Sequence, residues 1–177
     1  LVGRGVLPEG ALAPRVAPAA ACAAPEPGIV ERGALVGFAF GQMQAQTLAA
    51  LAALGPLRVT PWRMLLVEGL AAMPALPGLV TRGDDPVRRV EACSGAPACL
   101  QAVAPVRALA ARLAPQVPQG RVLHVSACAK GCAHPAAADV TLVATGAGFD
   151  LIRNGTTLDL PARRGLAQDD IDLKGLF

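Results

Sequence analysis

At 177 residues and 17.9 kDa the chain can bury the core of one ordinary domain or of two small ones. Its 16 basic and 13 acidic residues give a net charge of +3 without a basic run, which argues against a nucleic-acid footprint. Alanine supplies most of the excess in the 53% apolar content, and one Trp, four Phe and no Tyr leave Leu and Val to fill the core.

The sequence begins at Leu1 without a basic-then-apolar leader, so no secretory signal is read and a portion of a longer polypeptide is expected. Residues 33–57 carry no charge and pass a crude length test for crossing a bilayer. Gln42, Gln44 and Gln46 in the middle, Gly37 and Gly41, and the Gly55-Pro56 stop argue instead for a strand and an amphipathic helix, and no membrane partner is expected.

Residues 1–28 are Ala, Pro and Gly with few large apolar groups, the composition of an irregular connector. Residues 34–40 form an apolar run of strand length, and residues 42–54 follow with Met43, Leu48, Leu51 and Leu54 at roughly helical spacing. Residues 57–60 then alternate apolar and polar, and residues 64–67 form a second strand, so that one α/β unit closes near residue 80. From Thr81 the texture changes to a charged stretch with Arg82, Asp84, Asp85, Arg88 and Arg89, a plausible domain boundary. Pro97 is expected in the first turn of a helix that seats Cys99 and buries Val103, Val106, Ala110 and Leu113, with Pro105 kinking it or starting a second. Residues 122–125, 140–145, 149–153 and 156–160 read as strands, the last two joined by a hairpin at Asn154-Gly155. The tail over residues 161–177 is polar, with room for a terminal helix.

Chemistry concentrates in the cysteines. Cys22 stands alone in the connector and reads as a plain thiol, whereas Cys93 with Cys99 and Cys128 with Cys132 form two pairs with five and three residues between their members. Four soft thiolates from two short loops suit a [4Fe-4S] cubane, in which each iron needs one external ligand. Ser94, Gly95, Ala96, Ala98, Ala129 and Gly131 are small enough for the backbone to approach inorganic sulfide, and a helix start at Cys99 would favour an anionic cluster. A structural four-cysteine zinc module is the non-redox alternative, although five intervening residues is wide for it. A pair of disulfides needs an oxidising compartment and would strain the short 128–132 loop.

The stretches Cys93-Ser-Gly-Ala-Pro-Ala-Cys99 and His124-Val-Ser-Ala-Cys128-Ala-Lys-Gly-Cys132-Ala-His134-Pro135 resemble the cluster signature of the sulfite and nitrite reductase superfamily, and within it most resemble the precorrin-3B synthases. Lys130 stands where the true reductases usually carry Asn, and Ala127 where the family commonly has Gly. Val36-Gly-Phe-Ala-Phe40 and Leu57-Arg-Val-Thr-Pro-Trp-Arg63 are similar to the family's second ferredoxin-like half-domain, so the resemblance covers about residues 30–155.

It implies an α/β (α+β) fold: a ferredoxin-like half-domain over residues 29–80, then an α/β iron-sulfur domain of the sulfite/nitrite reductase type over residues 81–160. It also implies an oxidoreductase of aerobic cobalamin biosynthesis, cytoplasmic, a monooxygenase that hydroxylates the tetrapyrrole precorrin-3A with O2 and closes a lactone. An electron donor, NADH or a reductase, is implied too. Cys93, Cys99, Cys128 and Cys132 are then the ligands of the [4Fe-4S] cluster. Sirohaem belongs to the alternative reading as a sulfite or nitrite reductase fragment, where the residue matching Cys132 also bridges to haem iron. The family is further associated with a mononuclear non-haem iron. His124 and His134 are the only histidines and could each give it a nitrogen, but a structural imidazole on a strand and a loop-shaping histidine are the commoner findings, so no ligand is assigned.

Arg58 and Arg63 flank the Thr60-Pro61-Trp62 turn and could clamp substrate carboxylates bidentately, against the plainer reading of solvated arginines. Lys130, inside the second cysteine loop, faces either the cluster's charge or a carboxylate. Trp62 stacks on a macrocycle or fills the core, the latter being the more common.

Overall fold

The computed structural model describes residues 23–177, so Cys22 and most of the expected connector lie outside the described residues. Residues 28–80 build one antiparallel sheet from strands β1 (Gly28–Val30), β2 (Gly33–Phe38), β3 (Leu57–Val59), β4 (Met64–Glu68) and β5 (Leu79–Val80), in the order β1-β2-β4-β3 with β5 beside the end of β2. Every residue of β2 is buried, and its alternation sends Val36 and Phe38 to one face and Leu35 to the other. The first face is closed by helix α1 (Ala45–Ala52) through Leu51, against Leu65 and Val67. The second gathers Leu35, Met64, Leu66 and Trp62. Trp62 is thus part of a small core. Helix α1 is shorter than its apolar spacing predicts, because Phe40 (φ 55°) and Gly41 (φ 68°) turn the chain through a 3-10 segment before a helix can start.

The second sheet has the order β10-β9-β8-β7-β6, from β6 (Val90–Ala92), β7 (Leu123–Ser126), β8 (Ala138–Thr145), β9 (Gly148–Gly155) and β10 (Arg163–Leu166). Strands β6, β7 and β8 are parallel, while β8, β9 and β10 are antiparallel. Its main core lies between one face of the sheet and helix α2 (Arg107–Leu113), where Val90, Leu123, Val125, Leu142 and Leu151 meet Leu109 and Leu113. Strand β7 is buried on both faces, as expected of a central parallel strand.

Four expectations are corrected. No helix starts at Pro97: residues 96–101 form turns, the Ala96–Pro97 peptide is cis, and α2 begins two residues after Pro105. The donors of this segment are used across the loop rather than along a helix, Ala96 N–H to Ala104 O at 3.2 Å and Val103 N–H to Ala127 O at 2.8 Å. Cys99 therefore has no helix dipole beneath it. Asn154-Gly155 is not a hairpin turn either: both residues finish β9, and the turn falls at residues 146–147. The expected strand over residues 156–160 is replaced by a turn that Asp159 closes, its carboxylate accepting from Thr156 N–H at 2.7 Å and from Thr156 Oγ1 at 2.9 Å. Finally, the tail supplies β10 and buries Ile171 and Leu173 in the core, whose apolar side chains outweigh the polar residues around them.

Asp139 pins β8 to the start of β7. Its carboxylate accepts Val122 N–H at 2.8 Å and Arg121 Nη1 at 2.7 Å, and these bonds, the backbone one foremost, hold its carboxyl below the usual range. The stabilisation is present above the unfolded-state value and lost as pH falls through the lower folded value. Asp139→Ala is expected to cost about 1 kcal/mol at neutral pH. The difference from the parent should vanish in acid, as urea melts at the two pH values would show.

Candidate metal centre

Parallel pairing of β6 with β7, Val90 with Leu123 and Ala92 with Val125, sets the carboxyl ends of the two strands side by side. Both cysteine loops leave from that edge, the position at which open parallel sheets carry their sites. Cys93 is the first residue past β6, and its Sγ accepts Ala127 N–H at 3.3 Å; Ala127 O accepts from Val103 N–H at 2.8 Å. Ala127 thus ties the second loop to both limbs of the first. Its methyl group, where the resemblance expects Gly, is buried within the main core.

The two loops are fastened from outside the cysteine motif as well. Ser126 Oγ donates to Cys128 O at 2.7 Å, and Thr157 Oγ1, from the turn after β9, donates to Ala129 O at 2.7 Å. Gly131 (φ 63°) lies against the same threonine: a Cβ there would sit 2.7 Å from Thr157 Oγ1. In the first loop Cys99 N–H donates to Gly95 O at 2.9 Å and Ala102 N–H to Cys99 O at 3.1 Å, closing a compact hook. Thr157 is a functional candidate that sequence reasoning missed. Nothing in its neighbourhood signals a contact with a loop 28 positions away.

Cys93, Cys99 and Cys128 are half-buried, Cys132 is exposed, and all four are free thiols. Among the described residues no three His, Cys, Asp or Glu side chains converge on one point where a single ion could sit. Zinc would ask the four sulfurs to lie about 2.3 Å from one ion. A cubane asks something different, since each thiolate takes its own iron and the ligands stand apart around the cube. Soft donors, small intervening residues and two adjoining loops fit that group.

Of the predicted cations, the two arginines are engaged by carboxylates and, among the described residues, Lys130 stands free in its loop. Arg58, on β3, donates from Nε and Nη2 to Glu68 Oε1 at 3.0 and 2.9 Å, and Arg32 shares that carboxylate at 2.8 Å. The Arg58 guanidinium, with Arg32 beside it, holds the Glu68 carboxyl below its usual range. Arg63 (φ 58°) reaches from the first sheet to Glu91 of the second at 2.6 Å. It lines a cavity of about 170 Å³ with Trp62, Phe40, Arg88 and Glu91. Lys130 is exposed in the second cysteine loop. Leu100, which follows Cys99, and Leu158 and Leu160, which follow Thr157, are exposed by 103%, 84% and 88%.

His124 is fully buried on β7, and burial, helped by the nearby His134, pushes its pKa down to about 4. The imidazole is therefore neutral at physiological pH. His134 is half-buried after the second cysteine loop, where its N–H donates to Gly131 O at 3.1 Å.

No protein-family model matches the sequence. A precorrin-3B synthase from a Sinorhizobium species is 33% identical over 145 residues, covering 72% of this chain and 32% of that protein. The structure of the Mycobacterium tuberculosis NirA protein superposes with a TM-score of 0.51 at 22% identity, over 84% of this chain and 37% of that one. The chain thus spans about a third of the length of either. Its α+β architecture is that of the sulfite and nitrite reductase fold. Sequence relative and structural neighbour together fit the superfamily that the two cysteine loops resemble, with this chain matching part of a precorrin-3B synthase.

Proposed function

We propose that the chain is the iron-sulfur portion of an oxygenase of the precorrin-3B synthase type, acting on the tetrapyrrole precorrin-3A with O2 in aerobic cobalamin biosynthesis. The observation that carries this reading is the junction of the two cysteine loops at the ends of β6 and β7, tied through Ala127 to Cys93. Its companion is the 33% identity to a precorrin-3B synthase.

Cys93, Cys99, Cys128 and Cys132 would hold a [4Fe-4S] cluster, which supplies single electrons when bound. Ala127, Ser126 and Thr157 set the loop backbones that carry those thiolates. The product, a hydroxylated macrocycle with a lactone, requires O2 and a donor such as NADH or a reductase. We assign Arg63 and Lys130 to substrate carboxylates, a role in which Arg63 would first exchange Glu91 for its new partner.

A macrocycle needs far more room than the cavity beside Arg63, since pockets for such ligands run to roughly 300–1,000 Å³. The exposed side chains of Leu100, Leu158 and Leu160 support the view that further polypeptide completes the binding surface. This chain alone is accordingly expected to turn over weakly or not at all.

Anaerobic reconstitution of the full chain with iron and sulfide tests the reading. Broad absorption near roughly 400 nm with acid-labile sulfide is expected. A sharp Soret band with a long-wavelength companion would move the chain to the sirohaem reductases. A colourless, zinc-loaded protein would overturn both redox assignments.

A further inference from the structure

The chain reverses after β2 because Phe40 (φ 55°) and Gly41 (φ 68°) both take left-handed conformations. That reversal sets Gln42, Gln44 and Thr47 opposite the start of α2. Phe40 packs against the core of the second sheet and Met43 against that of the first. Between them lies an open cleft of about 480 Å³. Its apolar walls include Phe40, Met43 and Pro77, and its polar groups are Gln42, Gln44, Thr47 and Arg107. No Asp or Glu lines it, nor does any residue of the two cysteine loops.

Arg107 is the group that asks for a ligand. It is half-buried, its Nε is buried without a hydrogen-bond partner, and its Nη1 donates to the amide oxygen of Gln42. That oxygen carries no charge. Arg58, Arg63 and Arg121 each meet a carboxylate, at 2.9, 2.6 and 2.7 Å, whereas the described residues give Arg107 none. A guanidinium cannot lose its proton to escape burial, so an anion beside it would offset the hydration it has given up. Gln42 is exposed, and its Oε1 stands where one carboxylate oxygen would. A carboxylate in that place would accept from two N–H groups of the planar fork, where the amide oxygen accepts from one.

We propose that this cleft binds a small organic monocarboxylate, with its anion on Arg107 and its apolar body against Phe40, Met43 and Pro77. The lining holds no second Lys, Arg or His, so a dianion such as a phosphate ester would keep one charge unpaired. The amides of Gln42 and Gln44 and the hydroxyl of Thr47 supply donors for the remaining lone pairs. The volume lies in the range of roughly 300–1,000 Å³ usual for pockets that take small molecules. The cleft is separate from the cavity beside Arg63, with which it shares Phe40 alone.

Benzoate is the probe. Calorimetric titration into the full chain should show one site per chain. Arg107→Gln should weaken binding about tenfold or more, and benzamide, which has the same shape without the charge, should bind the parent more weakly by a similar factor. Ala108→Phe places a ring in the cleft from an exposed position on α2 and should abolish binding, a result that stays readable if the Arg107 variant does not fold. Arg63→Gln should leave the affinity for benzoate unchanged. Absence of benzoate binding, or parental affinity in Arg107→Gln or in Ala108→Phe, overturns the site. A loss in Arg63→Gln as large as that in Arg107→Gln puts the anion in the neighbouring cavity and overturns it equally. Neither cysteine loop lines the cleft, so the outcome is independent of the cluster assignment.

Discussion

Cys128→Ser and Cys132→Ser are each expected to reduce iron and acid-labile sulfide from a full cluster to nearly none after anaerobic reconstitution. A serine hydroxyl is a hard, weakly acidic donor that does not replace a thiolate on iron, and three remaining thiolates leave one corner of a cubane open to water. The loss should be larger than any expected from folding alone. Cys128 is half-buried and Cys132 exposed, so neither serine opens a large hole in the core. Circular dichroism of the apo-variants should therefore match the parent while the visible absorption disappears. Cys93→Ser is a different case: its Sγ accepts Ala127 N–H at 3.3 Å, so the substitution also disturbs the junction between the loops. The informative pair is Cys128 and Cys132 against Cys22→Ser, which should retain the full cluster. Unchanged iron and sulfide stoichiometry in either loop variant would falsify the ligand assignment.

The candidate ligands are legible in the sequence because a soft-ligand cluster would demand a particular residue type at short spacing, and four cysteines in two pairs offer it visibly. The apolar runs over residues 34–40, 64–67 and 140–145 likewise coincide with β2, β4 and β8, since buried strands must be apolar whatever their partners. What escaped the sequence is settled by bonds between distant segments. Pro97 reads as a helix start until Ala127 is seen to take Val103 N–H, and Asn154-Gly155 reads as a hairpin until β8 and β9 are seen to pair over their whole length. Strand β6 has only three residues, too short for a periodicity to register, yet its pairing with β7 fixes the first cysteine loop. Arg58 and Arg63 illustrate the same limit. Sequence places them near a turn but cannot reveal that Glu68 and Glu91 occupy their guanidinium groups.

The second large effect concerns the fastening of the Cys128–Cys132 loop by Thr157. Gly131 adopts φ 63°, a conformation in which an L side chain costs about 1–2 kcal/mol. A Cβ there would also stand 2.7 Å from Thr157 Oγ1, closer than real Cβ contacts come, and a tight 3.1 Å from its Cγ2. Relief requires Thr157 to swing away, which breaks its 2.7 Å bond to Ala129 O at a further cost of about 1 kcal/mol. Gly131→Ala is thus expected to weaken the loop by about 2–3 kcal/mol. The fold should survive, because neither residue packs in the hydrophobic core cluster, and the effect should appear as faster iron release to a chelator. Thr157→Ala alone should release iron only modestly faster than the parent. The double variant should fall short of the sum of the two, since the hydroxyl bond can be lost only once and the clash is relieved. Additive effects, or parental iron retention in Gly131→Ala, would mean that the loop is held by its own turn and not from the end of β9.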